Sequence, residues 1–132
     1  MSNSINFKYD LIAVGIGGIF GAIGRYSVSF LFMEMNGFPY ATLTVNMIGC
    51  FLLSYLLNNK PFKTKVNPRV FLGLSTGLIG SFTTFSTFSI ETIELLDASF
   101  FLATFYAFLS VVGGLIFCYI GFYLASRRGG SI

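Results

Sequence analysis

Apolar residues run almost without interruption through four stretches of the chain, about 11 to 33, 38 to 58, 70 to 90 and 98 to 125, and the charges gather in the gaps between them. Each run approaches or exceeds the roughly 20 residues a helix needs to cross the hydrocarbon layer of a bilayer. A soluble four-helix bundle would carry a charged outer stripe on every helix, whereas 38 to 59 and 98 to 126 contain at most one ionisable charge each. The pattern predicts an all-α membrane protein, one four-span domain over residues 1–132. Its connections of roughly 5 to 12 residues leave no room for a further domain.

Composition agrees: of 132 residues, 55% are hydrophobic and 10% charged, with a mean hydropathy of +0.79. A water-facing surface could not be assembled from that stock. Charge then adds direction. Lys8, Lys60, Lys63, Lys65, Arg69, Arg127 and Arg128 fall at the termini and between the second and third runs, while Glu34, Glu91, Glu94 and Asp97 occupy the other two connections. Basic residues stay cytoplasmic, so both termini are expected inside the cell membrane. The KPFKTKVNPR segment is accounted for by that topology, and no nucleic-acid partner is expected. Arg25 interrupts the first apolar run, and no small-x-small site follows it, which argues against a cleaved signal peptide.

Polar residues inside the runs carry the candidate chemistry. Gly17 and Gly21, four apart in GIGGIFGAIGRY, allow close helix approach in lipid. Arg25 is costly at membrane depth unless it snorkels or meets an anion. Asn46 is the one strongly polar residue of the second run; its carboxamide either glues helices together or offers two N–H donors to an anion.

The third run contains GSFTTFSTFS, with six hydroxyls, three phenylalanines and no charge. Taken by threes, Phe82, Phe85 and Phe88 form an aromatic ridge between two hydroxyl ridges, Thr83/Ser86/Ser89 and Ser81/Thr84/Thr87. Gly73, Gly77 and Gly80 precede it, and a helix break near 79 to 83 is expected. Such a break frees backbone carbonyls that could coordinate a cation such as Na+.

Tyr106, Ser110, Gly114 and Cys118 make one stripe of the fourth run. Cys50 and Cys118 read as packing residues, since the chain has no His and no CxxC. With the acids placed at span ends, the inventory is one cation and many N–H and O–H donors, which solvates anions. Phenyl rings add their positive edges.

GGIFGAIGRY at 17 to 26, TLTVNMIGCF at 42 to 51 and GLIGSFTTFSTFS at 77 to 89 together resemble the Fluc/CrcB family of fluoride channels, in order and spacing. The resemblance implies a passive fluoride exporter built as an antiparallel, dual-topology dimer with its third helix broken. It implies that Asn46, Phe85 and Phe88 line the fluoride path, with hydroxyls from Thr84, Ser86, Thr87, Tyr106 and Ser110, and with Arg25 near the vestibule. The backbone carbonyls of Gly80 and Thr83 match positions that hold a structural Na+ at the dimer centre. Gly114 departs from the pattern, standing where another hydroxyl is expected; Ser81 and Ala41 replace expected glycines.

Antiparallel pairing of identical chains needs balanced basic residues on both sides. This chain is unbalanced, so it is expected to pair with an oppositely oriented homologue within membrane lipid, with pairing to itself as the alternative. A four-span multidrug or guanidinium exporter is the rival, but it needs a membrane-embedded Glu. A non-conducting assembly subunit would leave the hydroxyl and aromatic rows without a purpose, and an enzyme would need metal-ligand or acid–base clusters that the runs lack.

Overall fold

A computed structural model describes the backbone of residues 2–33 and 37–128, and the side chains of 7–33 and 37–127. Glu34 lies outside the described residues, as does the side chain of Arg128. The chain is helical: α1 spans Ser2–Leu31 and α2 Tyr40–Asn58, with short α3 Lys60–Lys65 and α4 Pro68–Leu72. A π-helical stretch, Gly73–Ile79, leads into α5, Gly80–Phe82; then come α6, Ser86–Ala98, and α7, Phe100–Arg128. Four helical segments are long and apolar enough to cross a membrane: Phe7–Leu31, Tyr40–Asn58, Pro68–Ala98 and Phe100–Arg127. The third is the broken one.

Local chemistry explains the connection between α2 and α4. Asn59 accepts a hydrogen bond from the Phe62 N–H at 3.1 Å, and Pro61 occupies the first turn of α3. The device recurs at Asn67, which accepts from the Arg69 N–H at 2.9 Å with Pro68 beginning α4. An Asn cap followed by Pro satisfies orphan donors and removes one that would otherwise need a partner. Arg69 then reaches α1, with Nε 3.4 Å from an Asp10 oxygen and the guanidinium 5.1 Å from the Tyr9 ring centre. That contact holds the basic connection at the same end of the bundle as the start of α1.

Packing divides the helices into two pairs. α2 runs along α7, and α1 runs along the π stretch. Backbones touch in the second pair: a Cβ on Gly17 would collide with the Gly73 carbonyl, and one on Gly21 with that of Leu78. In lipid, where apolar burial drives little association, such contact is a main source of helix cohesion. Tyr106, Ala103 and Leu95 form a buried cluster with Phe38, Leu43 and Phe88 packed on it. Most large apolar side chains face outward, in keeping with a bilayer as solvent.

The break falls at the far end of the expected interval. The glycine-rich stretch stays helical, widened into π form, and the helix opens at Thr83, whose backbone is extended (φ −83°, ψ 162°). It restarts at Ser86. The three-residue ridges are therefore interrupted: Phe82 ends one helix, Phe85 immediately precedes the next, and Phe88 lies in its first turn.

Candidate functional site

A cavity of about 400 Å³ lies where α2, the break, α6 and α7 meet. Its wall includes Asn46 and Cys50 from α2, Gly80, Thr83 and Thr84 around the break, Phe85 and Phe88, and Ser110 from α7. Asn46 closes on the break. Its Nδ2 donates to the Thr84 carbonyl at 2.9 Å, and its Oδ1 accepts from the Thr84 N–H at 2.8 Å. An NH2 group has two hydrogens and this bond uses one, so Asn46 acts as interhelical glue while keeping a donor.

The clamp decides which carbonyls are released. In a continuous helix the Gly80 carbonyl would accept from the Thr84 N–H, and that of Thr83 from the Thr87 N–H. The first donor is taken by Asn46, and the second donates to Thr84 Oγ1 at 3.2 Å. Gly80 is left with a long 3.4 Å contact from Thr83 Oγ1, which also donates to Ile79 at 3.1 Å. A Cβ on Gly49 would strike the Thr83 side chain, so the small residue sets how closely α2 approaches the break.

The hydroxyls divide by task. Thr84 Oγ1 donates to Thr87 Oγ1 at 3.0 Å and lies 3.4 Å from Ser86 Oγ, so these three are joined at the N-terminus of α6. Ser89 bonds back to the Phe85 carbonyl at 2.9 Å. Ser110 Oγ is buried and has no hydrogen-bond partner among the described residues. The Phe85 and Phe88 rings lie 5.9 Å apart at 40°, with Phe85 79% exposed on this protomer.

Of the residues singled out in the sequence, Asn46, Thr84, Phe85, Phe88, Ser110, Gly80 and Thr83 share the cavity wall. Ser86, Thr87, Tyr106 and Arg25 do not line it. Tyr106 stands one layer behind, fully buried, with its ring 5.3 Å from that of Phe88. Arg25 is half-buried on α1, a helix that contributes nothing to the wall.

Glu91, expected at the end of the third span, is not a free connection residue. It lies within the third membrane-length segment, and its carboxylate accepts from Thr42 Oγ1 and from the Tyr106 hydroxyl, both at 2.8 Å. Its sequence neighbourhood, with Glu94 and Asp97 close by, masked it as a connection residue. The signal that would have found it is helical spacing: Glu91 follows Phe88 by three residues and so continues that face inward.

The fold and cavity define a four-span helical membrane protein in which an amide-clamped helix break stands beside a wall that holds Asn46, Ser110 and the Phe85/Phe88 ring pair. The chain belongs to the CrcB family: the family model described as CrcB-like protein, Camphor Resistance (CrcB), matches residues 12–122. It is 44% identical over 120 residues to the Fluoride-specific ion channel FluC 1 of Bacillus cereus, covering 89% of this chain and 88% of the relative. It is also 44% identical over 105 residues to a FluC 1 of Desulfitobacterium hafniense (79% and 92% covered). A Fluoride-specific ion channel FluC 2 of Listeria monocytogenes is 42% identical over 114 residues (83% and 88%).

Proposed function

We propose that this chain is a passive fluoride channel of the cell membrane, and not an enzyme, exporting F− that accumulates inside. Hydrogen fluoride is a weak acid that crosses lipid, dissociates in the cytoplasm and leaves behind an anion that cannot return the same way. An interior-negative potential drives anions out with about 2.3 kcal/mol per charge per 100 mV, so a selective pore suffices. The observation that carries the reading is the cavity wall, which gathers Asn46 with a spare N–H, Ser110 and the Phe85/Phe88 ring pair, groups of the kind that replace hydration of a small anion. The names of the relatives agree with it.

Thr84, Thr87 and Ser86 hold the start of α6 in place, and Tyr106 supports Phe88 from behind. Arg25 acts at a distance, on the approach to the cavity. Structural Na+ fits the released carbonyls of Gly80 and Thr83, since hard oxygen donors without a helical partner suit a small hard cation. When bound, it would supply positive charge at the break; the protein's part is to divert the helical donors of those oxygens, the Thr84 N–H to Asn46 and the Thr87 N–H to Thr84 Oγ1.

The proposed assembly is an antiparallel dimer. Gly80 and Phe85 are exposed on the protomer, and opened backbone is tolerated at membrane depth only where protein or a cavity surrounds it. A second copy, or an oppositely oriented homologue, would cover both. An exporter that cycles a proton on Glu91 is disfavoured, because both carboxylate oxygens already accept from Thr42 and Tyr106.

The test is fluoride efflux from liposomes holding this protein alone, and again with an oppositely oriented homologue. Efflux in either arm supports the reading and names the assembly. Silence in both, with the protein shown to be folded and inserted, overturns it.

A further inference from the structure

We propose that the groove between the basic ends of α2 and α7 binds one anionic phospholipid, whose phosphate pairs with Arg127 and whose acyl chain lies against Phe51 and Tyr55. The groove is separate from the cavity at the helix break. It has a volume of about 430 Å³ and is lined by Phe51, Leu52 and Tyr55 from α2 and by Leu124 and Arg127 from α7. Phe51 stands seven residues before the last residue of α2, so the groove reaches about 10 Å along that helix from its end.

Packing makes the groove, and charge selects its occupant. A Cβ on Gly121 would collide with the Phe51 carbonyl, so the two backbones meet there. Beside that contact the Phe51 and Tyr55 rings stack 6.1 Å apart at 19°, a flat wall against which an extended chain packs. Any lipid tail can fill an apolar groove within a bilayer, because exchanging one hydrocarbon contact for another gains little. The headgroup must then decide. Arg127 is the charged residue of the lining, and among the described residues it has no carboxylate partner. Its guanidinium is held 4.8 Å from the Tyr123 ring centre. Neither α2 nor α7 contains an Asp or Glu. Lys60 opens α3 two residues past the end of α2, and Arg128 follows Arg127, so the charge flanking the two helix ends has one sign.

A guanidinium presents parallel N–H donors to two oxygens of one phosphate, a geometry an ammonium does not match. Choline lipids also carry a phosphate, but their quaternary ammonium cancels its charge and competes for it. A glycerol headgroup leaves the negative charge uncancelled. Basic pockets between membrane helices recognise anionic headgroups on these terms. The aromatic wall fixes where the lipid lies, and Arg127 fixes which lipid it is.

The full-length protein, purified in detergent, is mixed with phosphatidylglycerol or with phosphatidylcholine of the same chains, and native mass spectrometry counts the lipids that each protomer retains. We expect one phosphatidylglycerol per protomer to be retained at concentrations that leave phosphatidylcholine unbound, and its binding to raise the thermal midpoint. Arg127→Gln should weaken retention about fivefold, the loss of one basic residue's pull on an anionic headgroup. Arg127→Lys should recover part of it. Lys65→Gln, at the same end but outside the groove, should leave retention unchanged. Leu124→Trp fills the groove and keeps the charge, so it should lower retention too, whereas diffuse attraction to basic residues would spare it. Equal retention of the two lipids, equal losses in Arg127→Gln and Lys65→Gln, or full retention in Leu124→Trp overturns the proposal. Inorganic phosphate that raises the midpoint as far as phosphatidylglycerol does would reveal an anion site that needs no lipid, and overturns it as well. So does a dimer that retains no lipid, since the groove would then be an interface between copies. Should Leu124→Trp not fold, Leu52→Phe fills the same groove and decides. Fluoride efflux is not a readout, so a silent channel leaves this test intact.

Discussion

The Asn46 side chain holds the backbone of Thr84 from both sides, donating to its carbonyl at 2.9 Å and accepting from its N–H at 2.8 Å. One amide thus satisfies both backbone groups of a single residue at the break. It also keeps the Thr84 N–H from closing the helix onto Gly80. The break and its released carbonyls are therefore a property of two helices, not of the third segment alone.

Replacing that amide separates its tasks. In Asn46→Asp the ionised side chain still accepts from the Thr84 N–H but faces the Thr84 carbonyl with another acceptor, and it adds a negative charge to an anion path. In Asn46→Leu both bonds vanish, and a buried N–H and C=O lose their partners at about 1–3 kcal/mol each. We expect fluoride efflux to fall at least tenfold in both. The thermal midpoint in detergent should drop in both as well. An unchanged midpoint in Asn46→Leu would show that the clamp contributes nothing to the break.

Much of this was legible in the sequence, because hydrophobic run length sets span number and charge stays at the ends. The polar residues Asn46, Thr84 and Ser110 could be picked out because lipid makes every buried polar group conspicuous, and Phe85 and Phe88 by their recurrence every three residues among the hydroxyls. Their pairing could not. Asn46 and Thr84 lie 38 positions apart, and only tertiary packing determines whether an amide faces an anion or a backbone. Glu91 was hidden for a similar reason, since its direction depends on where α7 places Tyr106. The break fell at Thr83, past the glycines, because glycine permits distortion but Asn46 decides where it occurs.

The carboxylate of Glu91 joins three helices through Thr42 and Tyr106. A hydrogen bond to a charged group contributes about 1.5–3 kcal/mol, so Tyr106→Phe and Thr42→Val should each destabilise by that order. The two bonds go to the two oxygens of one carboxylate, and the double variant should cost measurably less or more than the sum. Glu91→Leu leaves both hydroxyls unsatisfied and should be the worst of the set. Chemical or thermal denaturation of the purified protein gives the ranking; strict additivity would mean the two hydroxyls act independently.

Sodium removal tests the released carbonyls. A cation bound only by the folded protein stabilises it by about 2.7 kcal/mol at 100 times its dissociation constant. Exchanging Na+ for a large organic cation should lower the thermal midpoint and slow efflux, with recovery on adding Na+ back. Gly49→Ala pushes a methyl group against Thr83 and should raise the Na+ concentration needed for that recovery. A midpoint indifferent to Na+ in the parent protein would remove the cation from the assembly.

Insertion is the last test, and it joins charge to assembly. Lys8, Lys60, Lys63, Lys65 and Arg69 lie toward the end of the bundle that the Asp10–Arg69 contact brings together, while Glu94 and Asp97 lie near the turn between α6 and α7. Basic residues resist translocation, so one orientation should dominate, with the C-terminus inside. Reporters active only in the cytoplasm or only outside it, fused in turn to the C-terminus, should give a strongly cytoplasmic signal when the chain is expressed alone. Efflux should then require an oppositely oriented homologue. Moving the imbalance by Lys63→Glu and Lys65→Glu should shift the reporters toward an even mixture and restore efflux by the single chain. An even mixture in the unaltered protein would instead identify a dimer of two identical chains, each inserted the opposite way.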